Sequence, residues 1–299
     1  MNNDIEQAVR NSAAEMDAFS LNGDVLSNPA RSIPERKVII EITDKLRSVM
    51  FPGFFDVQSP KVNPFATGSA LSEIACALLS QCEAAYRCQG EITDAADKAG
   101  EAVEAFIKAL PEVQKLLYTD VEALYNGDPA AFSKFDVIFS YPGLIAITVY
   151  RLAHILYGLK VPLIPRMMTE YAHGLTGIDI NAGAEIGSYF FIDHGTGVVI
   201  GETTVIGSYV KLYQGVTLGA LSTRRGQALS GVKRHPTIGN RVTVYSGASI
   251  LGGETVIGDD CVIGGNAFVT ASVPARTKVS VKSPELTFRE MDTGVWEKA

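Results

Sequence analysis

Four histidines occur in the chain, and two of them stand among residues that could work with them. His194 lies in Ile192-Asp193-His194-Gly195-Thr196-Gly197, and His235 lies in Lys233-Arg234-His235-Pro236. Imidazole titrates nearest neutrality of all side chains, so a positioned histidine can take a proton from a hydroxyl and return it. Glycines on both sides of Thr196 leave backbone open to a ligand beside His194. Asp179 precedes His194 by fifteen residues. A carboxylate bonded to one ring nitrogen would fix the tautomer and stabilise the imidazolium; the spacing fits equally an aspartate that only decorates a turn. His154, in a run of Leu and Ile, and His173, just before Gly174, read as structural. No serine sits in a nucleophile elbow, and no cysteine has a basic setting, so direct attack by a substrate hydroxyl is simpler than an acyl-enzyme. The histidines lack the short spacings of zinc sites, and no metal is expected. Between Leu218 and Ile238 the chain carries Arg224, Arg225, Lys233 and Arg234 and no acidic residue. In an acidic protein, that gathering suits an anion such as a phosphate group.

The elements that must position these residues show a period of six. Ile180, Ile186 and Ile192 are six apart, with Val198 continuing the step. Ile200, Ile206, Leu212 and Leu218 follow after a slip of two, and Ile238, Val244 and Ile250 after a long interruption. Leu251, Ile257, Ile263 and Val269 follow after a slip of one. A helix period of 3.6 cannot hold this pattern on one face, whereas a parallel β-helix with three short sides per coil can. The fifth position of each block is small or branched, as at Ala184, Thr196, Thr204, Val216, Ala248 and Cys261. Such a coil, about 18 residues round, would set Asp179 one layer from His194 near the same edge.

The first half reads as helical. A helix starts near Ile33-Pro34-Glu35 with Ser32 as N-cap and ends at Pro52-Gly53; Ser59-Pro60 to Pro64 is extended. Further helices are expected over about 67–89, 93–109, 111–126, 142–158 and 162–173, with Gly174 as a stop. The expected fold class is α+β: an all-α region at 31–173, then a β-helix at 174–283 with an inserted loop at 219–237. A polar lead-in at 1–30 and a tail at 284–299 flank them. The 299 residues, 46% hydrophobic, give room for two cores. A net charge of −7 argues against nucleic acid as a partner. No apolar run reaches the roughly 20 residues of a membrane span, and no signal peptide opens the chain, so a soluble cytoplasmic protein is expected. Cys76, Cys82, Cys88 and Cys261 form no Cys-x-x-Cys pair and read as reduced packing thiols.

Several segments together resemble the serine O-acetyltransferases, which open cysteine biosynthesis. They are Asp128-Pro129-Ala130, Tyr150-Arg151-Leu152-Ala153-His154, Ile178-Asp179-Ile180, Ile192 to Gly197, Gly201-Glu202-Thr203, Gly215 to Gly219 and Arg234-His235-Pro236. The resemblance implies a left-handed β-helix, a homotrimer or a dimer of trimers, and active sites between neighbouring subunits. It implies acetyl transfer from acetyl-CoA to L-serine, with L-cysteine as feedback inhibitor. It makes His194 the base and Asp179 its support. Asp128 and Asp193 would hold the serine amine, and Arg234 and His235 its carboxylate side. Backbone around Gly219 and Ala220, with Arg224, Arg225 and Lys233, would hold the CoA arm. The chain departs from the usual pattern at Asn181-Ala182, where His-Pro is common, at Gly195, where Ala is familiar, and at Lys233, where Asp is frequent. It ends in Trp296-Glu297-Lys298-Ala299, without the terminal Ile that docks into cysteine synthase, which speaks against a stable complex with that partner. Acetyl transfer to homoserine or a sugar is the rival activity, and a non-catalytic scaffold the rival class.

Overall fold

The computed structural model describes residues 3–22, 33–55, 64–90, 93–282, 287–289 and 296–298. Seven helices come first: α1 (Asn3–Asn22), α2 (Arg36–Met50), α3 (Pro64–Cys88), α4 (Ala95–Gly127), α5 (Lys134–Ser140), α6 (Pro142–Gly158) and α7 (Ile164–Thr176). Short parallel strands follow in three sheets, forming a left-handed β-helix. The first face stacks Asp179–Ile180, Val199–Ile200, Thr217–Gly219, Ser249–Leu251 and Phe268–Val269. The second stacks Glu185–Ile186, Val205–Ile206, Thr237–Ile238 and Val256–Ile257; the third runs from Phe191–Ile192 to Lys278–Val279. A final antiparallel pair joins Thr287–Arg289 to Trp296–Lys298.

The coil closes because each strand sends one aliphatic residue inward. Ile180, Ile200, Leu218 and Ile250 form one such column, each no more than 3% exposed. The residue two before each inward aliphatic packs beside it, as at Ala184, Val198, Val210, Val216, Ala248 and Cys261, all fully buried. Burying a Val, Leu or Ile side chain is worth about 1.5–3 kcal/mol, so stacked columns hold a chain whose strands are only two or three residues long.

This column corrects one expectation. Thr196 is exposed, and Val198 takes the buried place expected for it. The slip of two between Ile192 and Ile200 is an enlarged corner: Asp179 pairs with Val199, twenty residues on, whereas Val199 pairs with Thr217, eighteen on. The extra residues bulge outward and carry His194.

The helices differ from expectation at several points, among them α5, a seven-residue helix capped by Ser133 where none was expected. Pro111 lies inside α4, which runs on as one helix of 33 residues. The buried stripe Val103, Phe106, Leu110, Val113 and Leu117 continues past it, and burial outweighs the hydrogen bond that proline removes. Gly174 lies within α7; the stop is Gly177, left-handed at φ 69°, whose N–H reaches the His173 carbonyl at 2.8 Å. The inserted loop holds one 3₁₀ turn, Gly226–Leu229. The helix expected to start near Ile33 starts later, at Arg36 with Glu35 as its N-cap, because residues 33–35 are not helical; Ser32 and the stretch 59–63 lie outside the described residues, and Pro64, expected to be extended, opens α3. The lead-in contains α1, a largely exposed helix. No single helix among the described residues is long and apolar enough to cross a membrane.

A buried ion pair fastens the helices to the coil. Arg151 of α6 reaches Asp120 of α4 through Nε at 2.6 Å and Nη2 at 2.9 Å. The same guanidinium donates to the carbonyls of Ile186 and Gly187, and Asp120 accepts the Phe190 N–H at 2.9 Å.

Candidate active site

His194 sits at the enlarged corner between the third and first faces. Its backbone is left-handed, φ 56°, with Gly195 at 78° and Gly197 at 79°. The His194 N–H donates to Asp193 Oδ1 at 2.8 Å, and its Nδ1 lies 3.4 Å from the same oxygen. The imidazole is 70% exposed while the Asp193 side chain is 17% exposed, so the ring projects from a fixed base. Gly195 is favoured here by its left-handed φ, and a Cβ would press on the tip of the Ile178 side chain on the layer beneath.

Asp128 arrives at this corner from the C-terminal cap of α4. The approach is close, because a Cβ on Gly127 would lie 2.5 Å from the Phe191 ring, and one on Gly143 would strike the Ile192 carbonyl. Asp128 Oδ2 accepts the Tyr141 hydroxyl at 2.6 Å, and Oδ1 accepts the Ala130 N–H at 2.8 Å. These bonds, led by Tyr141, hold its carboxyl below the usual range, and the nearby His194 adds to the effect. Burial, then the Asp128 bond, raises the Tyr141 hydroxyl in turn. Tyr213 flanks the group, edge-on to Phe191 at 5.9 Å and stacked on Tyr245 at 5.2 Å. Two carboxylates thus frame an exposed imidazole, an arrangement suited to a cationic amine beside a group losing a proton.

Arg234 and His235 occupy the next corner, between the first and second faces, where the long loop rejoins the coil. His235 is 8% exposed. Its Nδ1 accepts the Thr203 N–H at 3.1 Å and lies 2.9 Å from the Thr203 hydroxyl. That hydroxyl oxygen in turn accepts the backbone N–H groups of Arg234 at 2.9 Å and His235 at 3.1 Å. Burial, then the Arg234 guanidinium, pushes the His235 imidazole down to about 4. At neutral pH the ring is uncharged with its proton on Nε2, a donor rather than a base. Arg234 pairs with Glu202, whose other oxygen accepts the Tyr157 hydroxyl at 2.9 Å.

The expected support of His194 by Asp179 is not formed within one chain. Asp179 lies beneath Val199 on the first face, because the enlarged corner shifts the layer by two residues. Its carboxylate faces Arg166 of α7 at 3.8 Å. Asp179, Glu170 and His173 bring ligand-type atoms within 4.8 Å of one another, but Arg166 pairs with both carboxylates and supplies the compensating charge. Arg224 and Arg225 are exposed on the inserted loop, and Gly219 and Ala220 are partly exposed at its start. Lys233, exposed at the end of the loop, sets its ammonium 2.5 Å from the Thr203 carbonyl and 3.4 Å from that of Pro236. His154 is structural, with Nδ1 2.7 Å from the Ala182 carbonyl, and His173 lies half-exposed, 3.7 Å from Glu170. Tyr141, Tyr157 and Thr203 had no role in the sequence reading; only the Gly201-Glu202-Thr203 run marked its corner beforehand.

The chain thus joins a helical half to a left-handed coil of six-residue turns, with a carboxylate-framed histidine at a widened corner. No protein-family model matches the chain. The plasmid serine acetyltransferase of Synechococcus elongatus is 46% identical over 269 residues, covering 86% of this chain and 84% of that one. The serine acetyltransferase of Helicobacter pylori is 46% identical over 168 residues, covering 56% of this chain and 94% of its own length. Among solved structures, isoform 3 of the Entamoeba histolytica serine acetyltransferase, in complex with cysteine, superposes with a TM-score of 0.75 at 35% identity over 84% of each chain. The chain belongs to the serine acetyltransferase family.

Proposed function

We propose that this protein transfers the acetyl group of acetyl-CoA to the hydroxyl of L-serine, giving O-acetylserine and CoA, the step that opens cysteine biosynthesis. The observation that carries this reading is the corner at which Asp128 and Asp193 frame the exposed imidazole of His194. The two carboxylates hold the serine ammonium, which brings its hydroxyl to the ring. His194 takes the hydroxyl proton as the oxygen attacks the thioester carbonyl, and returns it to the sulfur of CoA as the tetrahedral intermediate collapses. Arg234 takes the serine carboxylate as a forked pair, and His235 donates through Nε2. Asp179 keeps its assignment as support for the base in the assembled site. The CoA arm runs along Gly219 and Ala220, with Arg224 and Arg225 available to phosphates. Lys233 serves this arm by anchoring the loop through two carbonyls while one ammonium donor and its charge stay available.

The catalytic unit is a homotrimer with sites between neighbours, because His194 and Arg234 stand on different corners. One side of a coil spans about six residues, roughly 20 Å of strand, too far for one serine to bridge. Cysteine, a serine analogue and the ligand in the Entamoeba enzyme's structure, acts as a competing inhibitor. A thiol-release assay with acetyl-CoA and L-serine tests the reading, and absence of serine-dependent CoA release rejects it. In that assay His194→Ala lowers kcat by about 10²–10⁴-fold, the contribution of a general base, and Asp179→Asn lowers kcat without a matching rise in KM.

A further inference from the structure

Glu202 has no contact with the His194 corner, yet both of its oxygens are committed. One takes Arg234 Nη2, at the end of the inserted loop, and the other takes the Tyr157 hydroxyl, from the last turn of α6. The Glu202 side chain is 29% exposed and that of Arg234 23%, so the pair is partly shielded from water. Burial raises the Glu202 carboxyl, but Arg234 and Tyr157 together hold it below its ordinary value.

A count of donors shows what this leaves free. A guanidinium carries five N–H groups. Arg234 turns Nη1 toward the carbonyls of Leu229 at 3.3 Å and Val232 at 3.5 Å, and gives one Nη2 hydrogen to Glu202. Nε has no partner among the described residues, and with one Nη2 hydrogen also left it offers donors to a carboxylate. The arginine follows an exposed loop with a single 3₁₀ turn, and its long side chain carries rotamer entropy that binding would otherwise have to overcome. Glu202 removes that freedom before substrate arrives.

We propose that Glu202 is a positioning residue for the substrate carboxylate, aiming Arg234, and that Tyr157 sets Glu202, so that helix α6 governs carboxylate recognition at the coil corner. The inference rests on the assignment of Arg234 to the serine carboxylate. It also gives the Gly-Glu-Thr run a division of labour: Glu202 orients the arginine, while Thr203 orients the histidine next to it.

The test compares L-serine with L-serinamide, which lacks the carboxylate, in the full-length enzyme carrying Glu202→Gln, Tyr157→Phe or both. Serinamide is followed by turnover or, where it is not turned over, as an inhibitor against serine. Glu202→Gln raises the serine KM about tenfold, the loss of one charge-assisted bond, with kcat changed less than about twofold and the serinamide constant unmoved. Tyr157→Phe raises the serine KM about threefold, and the double variant is no worse than Glu202→Gln alone, because Tyr157 acts through Glu202. Tyr157→Phe removes one hydroxyl and keeps the ring, so it carries the same prediction where Glu202→Gln fails to fold. An equal loss on both substrates would mean that Glu202 only holds the fold. A fall in the serine KM would mean that Glu202 competes with substrate for the arginine. Either overturns the proposal. Arg234→Gln separates it from the reading beneath: if the preference for serine over serinamide survives that change, Arg234 does not bind the carboxylate. If the preference is lost there but intact in Glu202→Gln, only the positioning role fails.

Discussion

At the residue scale, the two histidines of the site are built for opposite tasks. His194 is exposed on a left-handed backbone, a conformation that a non-glycine residue adopts at a cost of about 1–3 kcal/mol and that persists where the surroundings enforce it. His235 is enclosed, pinned through Nδ1 and kept neutral. That difference gives a pH prediction. His235 is lowered from 6.5 to about 4, so between those values the unfolded chain binds a proton that the folded chain does not. Its contribution to stability is therefore fully present above pH 6.5 and is lost as pH falls toward 4. The effect is bounded at about 3 kcal/mol, at ~1.4 kcal/mol per pKa unit. Melting temperatures from pH 7.5 down to 4 should fall less steeply for His235→Asn than for the parent, and parallel curves would contradict the assignment. His194, Asp193 and Asp128 were legible beforehand because their neighbours in sequence are their neighbours in space, or because the resemblance named them. The pairing of His235 with Thr203 was not, since it forms across 32 positions once the long loop returns.

Elements enforce these positions by close approach rather than by strong bonds. A Cβ on Gly201 would overlap the His235 ring, so Gly201→Ala should push the imidazole from its seat. The expected outcome is a fall in kcat/KM for serine of about tenfold or more with the fold retained, as for a small misplacement of a binding group; unchanged kinetics would show that the ring is free to move. The joint between α4, α6 and the coil depends on Arg151 and Asp120. Asp120→Ala should destabilise the chain by about 3–5 kcal/mol in denaturant titration, because it leaves a buried guanidinium unpaired. A loss below about 1 kcal/mol would mean that Arg151 reaches water instead. The period of six was plain in the sequence because every coil needs an aliphatic residue at the same place. The widened corner showed only as a slip of two, and was misassigned because Val198, like Thr196, is a residue that could fill the inner column. Pro111 misled for the converse reason: a local breaker signal lost to a buried stripe that extends on both sides of it.

At the scale of the whole molecule, the arrangement of half-sites constrains the assembly. Asp128, Asp193 and His194 lie at the corner leading into the Val199–Ile200 strand, and Glu202, Arg234 and His235 lie at the corner leaving it. Within one chain, a serine held by its amine at the first corner cannot reach the guanidinium at the second. In the proposed trimer the first corner of one copy would meet the second corner of the next, and each catalytic centre would draw on two chains. Two variants, each strongly impaired at serine concentrations well below KM, should then repair each other under the same conditions. His194→Ala keeps an intact second corner, and Arg234→Gln keeps an intact first corner. Co-expressed in equal amounts and assembled at random, they should recover about a quarter of the parent activity, because one interface in four joins the two intact halves. A chain carrying both substitutions, co-expressed with either single variant, should recover nothing, since no interface then joins two intact halves. If the two singles stay inert together while each forms oligomers with the other, the centre is complete within one chain, and the loop carrying Arg234 must fold across the first face to reach His194.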